Sequence, residues 1–304
     1  MQNKKTIIKI TSLFLILIIV LTTLSGCGNL KTEDVNSDTK NFKMVTSFYP
    51  LYIALLNITD GAENVEVENM TDSNIHCLHD YTLTTQDLVK LEKADVFITN
   101  GLGIENFINK VTETYQNLNI IDSSKNIKNI IKTGKENNAH IWLDIDNYMK
   151  QVENIANELI ILNPENEEIY KQNTAKYIGE LEFLSGEIRG NIQREEPIEV
   201  ISFSESLDYL AGEFKLNIRQ VDINHEGTNL SAEKLNELIK YVQTNNVKVV
   251  ILDEDTNRNS AEALANETGA KIYTLDAGLD GAFDKGSYVS MMLNNLDIVL
   301  SMEE

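Results

Sequence analysis

The sequence predicts an α/β fold with two lobes, each containing a small parallel sheet flanked by helices, joined by one long rigid linking helix. Strand-like runs alternate with amphipathic helical patterns twice, before about residue 125 and again after about residue 197. Between these two parts, residues 146–194 contain almost no strand signal. The chain has 304 residues, of which 42% are hydrophobic, and this is enough to build a sizeable core in each lobe.

Eight apolar runs are candidate strands, and helical patterns separate them. The runs are Lys43–Phe48, Val65–Met70, Asp95–Asn100, Asn119–Asp122, Glu199–Phe203, Ile218–Val221, Lys248–Asp253 and Lys271–Leu275. One helix runs from Thr84 to about residue 92, because Thr84 and Asp87 are spaced as the two partners of a capping box. A second helix runs over Ser231–Gln243, and a third ends at Gly269, a residue type that favours helix termination.

The middle of the chain predicts the helix that links the lobes. Asn163 and Pro164 divide the helical stretch in two, because proline fits the first turn of a helix and asparagine caps it. The second helix extends to about Arg194 and would be roughly 45 Å long at ~1.5 Å per residue. We therefore expect an N-terminal lobe over residues 42–163, the linking helix over 164–194 and a C-terminal lobe over 195–304.

The charge of the chain excludes two classes of partner. There are 26 Lys and Arg against 47 Asp and Glu, which gives a formal net charge of −21 at pH 7. Nucleic acid binding depends on basic side chains that neutralise phosphates, so we expect no nucleic acid partner. An electrostatic attachment to anionic lipid is disfavoured for the same reason. Two cysteines are too few for a disulfide framework.

The N-terminus predicts export followed by lipid attachment. Three lysines precede the apolar run Leu13–Leu21, which leads to the tetrapeptide Leu24–Cys27. This order is typical of a signal peptide, and the tetrapeptide resembles a bacterial lipobox, in which the cysteine is lipidated before cleavage. We therefore expect a lipoprotein signal peptide over residues 1–26, a lipid on Cys27 and a flexible tether over residues 27–41. The mature protein would be extracytoplasmic and anchored to the membrane, as in a Gram-positive cell.

Three of the four histidines lie where an α/β protein often carries functional residues. His76 and His79 lie in a loop between a strand-like run and the helix that Thr84 caps. His140 opens the helical middle, two residues before the only tryptophan. Because imidazole is a common ligand for metals such as zinc, these residues are candidate ligands. The fourth, His225, lies in a polar loop and is expected to be solvated.

A set of motifs in this order resembles the solute-binding lipoproteins of zinc and manganese ABC transporters. The motifs are Thr46–Leu51, His79–Tyr81 with Thr84 and Asp87, Lys93–Phe97 with Asn100 and Gly101, His140–Asp144, Glu267–Asp276 and Ser287–Asn295. They cover the chain from about residue 42 to its end. Each motif alone is a weak signal, and the ordered set together with a lipobox is a specific one.

The resemblance implies a monomeric two-lobed metal receptor and not an enzyme. Such receptors bind one divalent metal between their lobes and deliver it to an ABC transporter permease. Position by position, His79 and His140 match the two ligands from the first lobe, and Asp276 matches a carboxylate from the second. The implied cargo is Zn²⁺, with Mn²⁺ next, and either ion would be a transported ligand and not a catalytic cofactor.

The third ligand of the family, a histidine in zinc-type members or a glutamate in manganese-type members, has no match. Ser204 stands at that position, with Glu205 beside it. Because neutral serine is a poor ligand for a divalent metal, Glu205 or a water would complete the site, and Glu254 is a further candidate at a strand end. The proline that usually follows the Asp276 position is also replaced, by Ala277.

Two other functions stay open as alternatives. The serine at the third ligand position is compatible with a surface interaction or adhesion lipoprotein whose metal site is degraded. A zinc hydrolase could use the same ligands, although the chain contains neither H-E-x-x-H nor G-x-S-x-G. His76 and Cys77 lie within reach of His79, and a thiol ligand would favour zinc or copper(I), but an unpaired structural thiol is the simpler interpretation of Cys77. We expect Asp144 to orient a neighbour or to sit at a helix N-terminus.

Overall fold

Two four-stranded sheets form the frame of the protein, and every strand pair within them is parallel. The structure is a computed structural model, and it describes residues 41–71, 81–221, 230–254 and 256–303. In this part of the chain, no helix combines the length and the apolar character that a membrane crossing needs. The two parallel sheets with flanking helices confirm the α/β prediction.

The first sheet has the strand order β2-β1-β3-β4. Its strands are β1 (Phe42–Thr46), β2 (Val65–Asn69), β3 (Val96–Thr99) and β4 (Asn119–Asp122), and its helices are α1 (Tyr49–Ile58), α2 (Thr85–Lys93) and α3 (Ile108–Thr114). The predicted capping box forms at α2, because the Thr84 hydroxyl accepts from the Asp87 main chain while the Asp87 carboxylate accepts from the Thr84 main chain.

The middle of the chain contains a small antiparallel hairpin and two long helices. The elements are β5 (Lys132–Thr133), β6 (Glu136–Asn137), a 3₁₀ turn (Ile141–Leu143), α4 (Ile145–Leu162), a second 3₁₀ turn (Pro164–Asn166) and α5 (Glu167–Asn191). The hairpin was not predicted, and it places the segment that leads to His140. Asn163 stands at the predicted N-cap position, before the 3₁₀ turn that leads into the second helix, but its side chain makes no capping bond. Its side-chain oxygen accepts instead from the Tyr170 hydroxyl over 2.6 Å and from the Asn166 amide over 2.8 Å.

The second sheet has the order β10-β9-β7-β8. Its strands are β7 (Ile198–Ser202), β8 (Leu216–Gln220), β9 (Val249–Leu252) and β10 (Lys271–Thr274). A 3₁₀ turn (Glu205–Tyr209) and the helices α6 (Leu210–Phe214), α7 (Ala232–Thr244), α8 (Arg258–Thr268) and α9 (Ser287–Ser301) complete this lobe. Ser231, predicted as the start of the second helix, is the N-cap of α7, and Gly269 ends α8 as predicted.

Helix α5 is the long element that joins the two lobes. It packs against α1 and α4 beside the first sheet and against α6 and α9 beside the second. Its buried residues, which include Tyr177, Leu181, Leu184 and Ile188, follow the helical spacing of three to four positions, so they share one face. One core contains that face together with side chains from both sheets, such as Ile98 and Ile251. The α-helix ends at Asn191 and not at Arg194, and the domain boundaries given above stay a prediction.

Candidate metal centre

Candidate ligands of the second lobe lie at one edge of its sheet. Glu205 follows the end of β7, Asp253 follows β9, and Asp276 follows β10. Because these strands are parallel, the residues that follow their carboxyl ends emerge at the same edge, which is where α/β proteins place ligand sites. The topology thus places two of the candidate ligands, Glu205 and Asp276, and the further carboxylate of Asp253 after strands that end at one edge of the second sheet.

His140 is buried, and the residue two positions earlier fixes its orientation. The Asn138 side-chain oxygen accepts from the His140 main-chain N–H over 3.0 Å and lies 2.8 Å from His140 Nδ1. Because that oxygen can only accept, Nδ1 must carry the proton in this pair. In the neutral ring the lone pair is then on Nε2, the nitrogen that can bind a metal.

Trp142 connects the His140 segment to the segment that contains Asp276. Its ring lies 5.2 Å from the His140 ring, centroid to centroid, and its Nε1 donates to the main-chain oxygen of Ala277 over 2.8 Å. The indole is fully buried and also packs edge-on against Phe48, with the centroids 4.8 Å apart. One side chain therefore holds together the two chain segments from which the resemblance draws ligands.

Asp276 is held through its main chain, which leaves its carboxylate available. Asn295 accepts from the Asp276 main-chain N–H over 2.8 Å and donates to its main-chain oxygen over 2.9 Å. One carboxylate oxygen, Oδ1, accepts from the Gly278 N–H over 2.7 Å. In the described part of the chain the other oxygen, Oδ2, accepts no hydrogen bond. Burial raises the pKa of Asp276, with a smaller contribution from the charge of Asp280.

The loop after Asp276 is fastened to the first lobe at several points. The Tyr49 hydroxyl on α1 donates to Ala282 O over 2.7 Å, and the Asn57 amide donates to Lys285 O over 3.0 Å. The Lys285 ammonium also pairs with Asp60 over 2.6 Å. The loop of the second lobe that follows a candidate ligand is therefore in direct contact with a helix of the first.

The third ligand position shows why serine is a poor substitute there. The Ser204 hydroxyl donates to the buried Asp253 carboxylate, which also accepts from Ser206 over 2.8 Å and from Thr256 over 2.5 Å. Asp253 thus holds three hydroxyl groups. Glu205 begins the 3₁₀ turn and keeps its main-chain oxygen bonded to the Asn138 amide over 2.8 Å.

A second acidic side chain lies in the same turn as Glu205. Burial, and to a smaller extent the neighbouring charge of Glu205, raises the pKa of Asp208 to about 6. Asp144, in contrast, caps α4 by accepting from Asn147 N over 2.7 Å, as its sequence position suggested.

The remaining candidates divide into those the structure describes and those it does not. His79 lies outside the described residues, as do His76, Cys77 and His225, and the lipobox at Cys27. Glu254 is described and exposed. Within the described ranges, no group of three or more His, Cys, Asp and Glu side chains is arranged to hold a metal. The predicted ligand set therefore stays a prediction.

Three residues that sequence reasoning did not assign support this centre, namely Asn138, Trp142 and Asn295. Asn295 was part of the closing motif and Trp142 was noted as the only tryptophan, but neither spacing nor residue type showed their partners. Asn295 bonds to Asp276, which is 19 positions away in the chain, and Trp142 bonds to Ala277, which is 135 positions away.

Comparison with known proteins identifies similar chains over nearly the whole length. The family described as zinc-uptake complex component A, periplasmic, matches residues 44–301. The high-affinity zinc uptake system protein ZnuA of Bacillus subtilis is 28% identical over 296 residues, which cover 90% of this chain and 91% of that protein. The manganese-binding lipoprotein MntA of Halalkalibacterium halodurans is 26% identical over 307 residues, which cover 96% of this chain and 98% of that protein. The crystal structure of the metal-dependent lipoprotein YcdH from Bacillus subtilis superimposes with a TM-score of 0.74 at 27% identity, covering 86% of this chain and 99% of that one.

Proposed function

Because the chain belongs to the zinc-uptake component A family, we propose that it captures one divalent metal between its lobes, Zn²⁺ first and Mn²⁺ next, and delivers it to an ABC transporter permease. Members of this family are metal-binding solute-binding proteins and not enzymes. The observation that carries the proposal is the buried His140, whose Nδ1 proton is held by Asn138 so that Nε2 carries the lone pair. A histidine prepared in this way is a typical metal ligand.

We propose four ligands for the ion. Nε2 of His140 and the imidazole of His79 would come from the first lobe, and the carboxylates of Asp276 and Glu205 from the second. Glu205 is proposed in preference to Ser204, because the Ser204 hydroxyl is engaged by Asp253 while Glu205 is a charged oxygen donor one position away. Two imidazoles and two carboxylates suit both ions, and the general order of affinity for such ligands places Zn²⁺ above Mn²⁺.

We also propose where the protein lies, on the basis of its N-terminal sequence, and how it releases the ion, on the basis of its fold. A lipid on Cys27 would hold a monomeric receptor at the outer face of the membrane, in the position where a permease can receive its metal. The fastening of the Asp276 loop to α1, and the long helix α5, both resist a wide hinge motion. We therefore propose that the permease releases the ion by a small tilt of the lobes.

Calorimetric titration of chelator-stripped mature protein with Zn²⁺ and with Mn²⁺ tests this proposal. We expect one ion per chain and a dissociation constant below about one micromolar for Zn²⁺. His140→Ala and Asp276→Ala should each weaken binding about 100-fold or more, whereas His225→Ala, which removes a histidine expected to be solvated, should bind as the wild type does.

Two results would change the proposal. Binding no tighter than about micromolar for either ion would contradict metal transport and favour the adhesion lipoprotein with a degraded site. A Glu205→Ala variant that binds as tightly as the wild type would remove Glu205 from the ligand set and leave a water at that position.

A further inference from the structure

Asn138 uses both ends of its side chain, and the two ends point to different lobes. Its oxygen accepts from the main-chain N–H of His140 and lies against Nδ1 of the same residue. Its amide nitrogen donates to Glu205 O over 2.8 Å and lies 3.5 Å from an oxygen of Asp208. The residue is only 3% exposed, so water cannot replace these partners easily.

The main chain of Asn138 contacts the same segment of the second lobe. The Tyr209 hydroxyl donates to Asn138 O over 2.9 Å and accepts from Ile131 N over 3.0 Å, while Asn138 N donates to Ile131 O over 2.8 Å. The turn Glu205–Tyr209 therefore contacts Asn138 at its beginning and at its end. The turn therefore holds the side chain of Asn138 through Glu205 and its main chain through Tyr209.

These contacts determine which way the amide points. The His140 main-chain N–H needs an acceptor and the Glu205 main-chain oxygen needs a donor, so a flipped amide would face a donor with a donor and an acceptor with an acceptor. The second lobe thus helps to hold the amide in the orientation that keeps the proton on Nδ1 of His140.

We propose that Asn138 is a positioning residue. It holds His140 in the tautomer that can bind a metal through Nε2, and it couples this tautomer to the contact between Asn138 and the Glu205–Tyr209 turn. This inference rests on the proposed function. When the turn withdraws, the amide nitrogen loses its acceptor, the amide is free to turn, and the His140 tautomer with its lone pair on Nε2 is no longer enforced. Separation of the lobes would then weaken a ligand of the first lobe as well as remove those of the second.

Two substitutions separate the two halves of this role. Asn138→Asp keeps an acceptor for His140 but cannot donate to Glu205 O, whereas Asn138→Ala removes both. Asn137→Ala is the matched control, because Asn137 is the exposed neighbouring residue of the same type. All variants are made in the mature chain.

The first measurement is the tautomer of His140 in the metal-free protein, read from ¹⁵N shifts at about pH 8, where imidazole is ordinarily neutral. We expect the proton on Nδ1 in the wild type, in Asn137→Ala and in Asn138→Asp, and a mixture of tautomers in Asn138→Ala. A purely structural role for Asn138 would leave the tautomer unchanged.

The second measurement is hydrogen exchange over residues 205–210, and the third is Zn²⁺ affinity. Exchange should be faster in both Asn138 variants than in the wild type and in Asn137→Ala, because both lose the donor to Glu205 O. Affinity should fall about 10- to 100-fold in Asn138→Ala and stay within about threefold in Asn138→Asp.

Unchanged tautomer and affinity in Asn138→Ala would overturn the positioning role, and unchanged exchange in Asn138→Asp would overturn the coupling. Should Asn138→Ala fail to fold, Asn138→Asp decides: faster exchange with the proton kept on Nδ1 supports the inference, and any other pair of results contradicts it. The tautomer and exchange measurements need no metal. They therefore test Asn138 even if the wild type binds neither ion and the proposed function fails.

Discussion

Replacing Trp142 with phenylalanine should weaken both the fold and the metal site, because this side chain joins the segments that contain His140 and Asp276. Phenylalanine keeps a buried ring but has no N–H. Ala277 O, which is buried and accepts from Trp142 Nε1 over 2.8 Å, would lose that donor. The main chain next to Asp276 would then be held less firmly relative to His140.

The size of the effect follows from two losses. A buried carbonyl left without its partner costs about 1–3 kcal/mol, and the space left by the smaller ring costs about 1 kcal/mol more. We therefore expect the free energy of unfolding to fall by about 2–4 kcal/mol. Because Trp142 supports the ligands without binding the ion, Zn²⁺ affinity should fall about tenfold and not be abolished.

Urea unfolding followed by circular dichroism measures the first effect, since the variant has no tryptophan for fluorescence, and calorimetry measures the second. Phe48→Leu is the control, because it removes the edge-on contact with the indole but leaves the bond to Ala277 in place. It should cost about 1–2 kcal/mol of stability and leave affinity unchanged. If Trp142→Phe unfolds within about 0.5 kcal/mol of the wild type and binds Zn²⁺ with wild-type affinity, Trp142 does not hold the two segments together.

Three further predictions concern stability. Burial raises the pKa of Glu105 to about 7, above the roughly 4.5 of an unfolded chain. As pH rises from about 4.5 to above 7, its ionisation should therefore lower the free energy of unfolding by up to about 3 kcal/mol. Urea unfolding curves measured across this pH range should show the decline in the wild type, and Glu105→Gln should lack the Glu105 contribution. Thr84→Ala removes the cap of α2 and should lower the free energy of unfolding by about 1 kcal/mol in urea titrations, whereas Thr85→Ala, at an exposed first-turn position, should change it by less than about 0.5 kcal/mol. Asn295→Ala leaves the main-chain N–H and oxygen of Asp276 without their partner; a thermal midpoint equal to that of the wild type would contradict the expected loss of about 2–4 kcal/mol.

Local patterns were sufficient to predict most of the regular elements. The strand at Asn119–Asp122 has the predicted bounds. The capping box of Thr84 and Asp87 forms as expected, because it depends on residues only three positions apart. The predicted strand Ile218–Val221 instead covers Leu216–Gln220, since pairing with β7 determines where a strand begins and ends. The hairpin at Lys132–Asn137 has two residues on each side and is too short to show a period.

The candidate site was less predictable than the fold. The resemblance placed His140 and Asp276, but their positions depend on pairings between distant residues. Asn138 reaches Glu205, which is 67 positions further along the chain, and Trp142 reaches Ala277, which is 135 positions further. No local pattern encodes such contacts. The same holds for Ser204: its sequence position indicated a missing ligand, and only the structure showed that Asp253 engages its hydroxyl.

A crystal structure of the zinc-loaded protein, with anomalous data at the zinc edge, tests the proposed metal site most directly. We predict one strong peak about 2.0–2.2 Å from Nε2 of His140 and from a carboxylate oxygen of Asp276, with Nδ1 of His140 still against Asn138. A peak bonded to Nδ1, or a peak that lies away from both residues, would contradict this prediction.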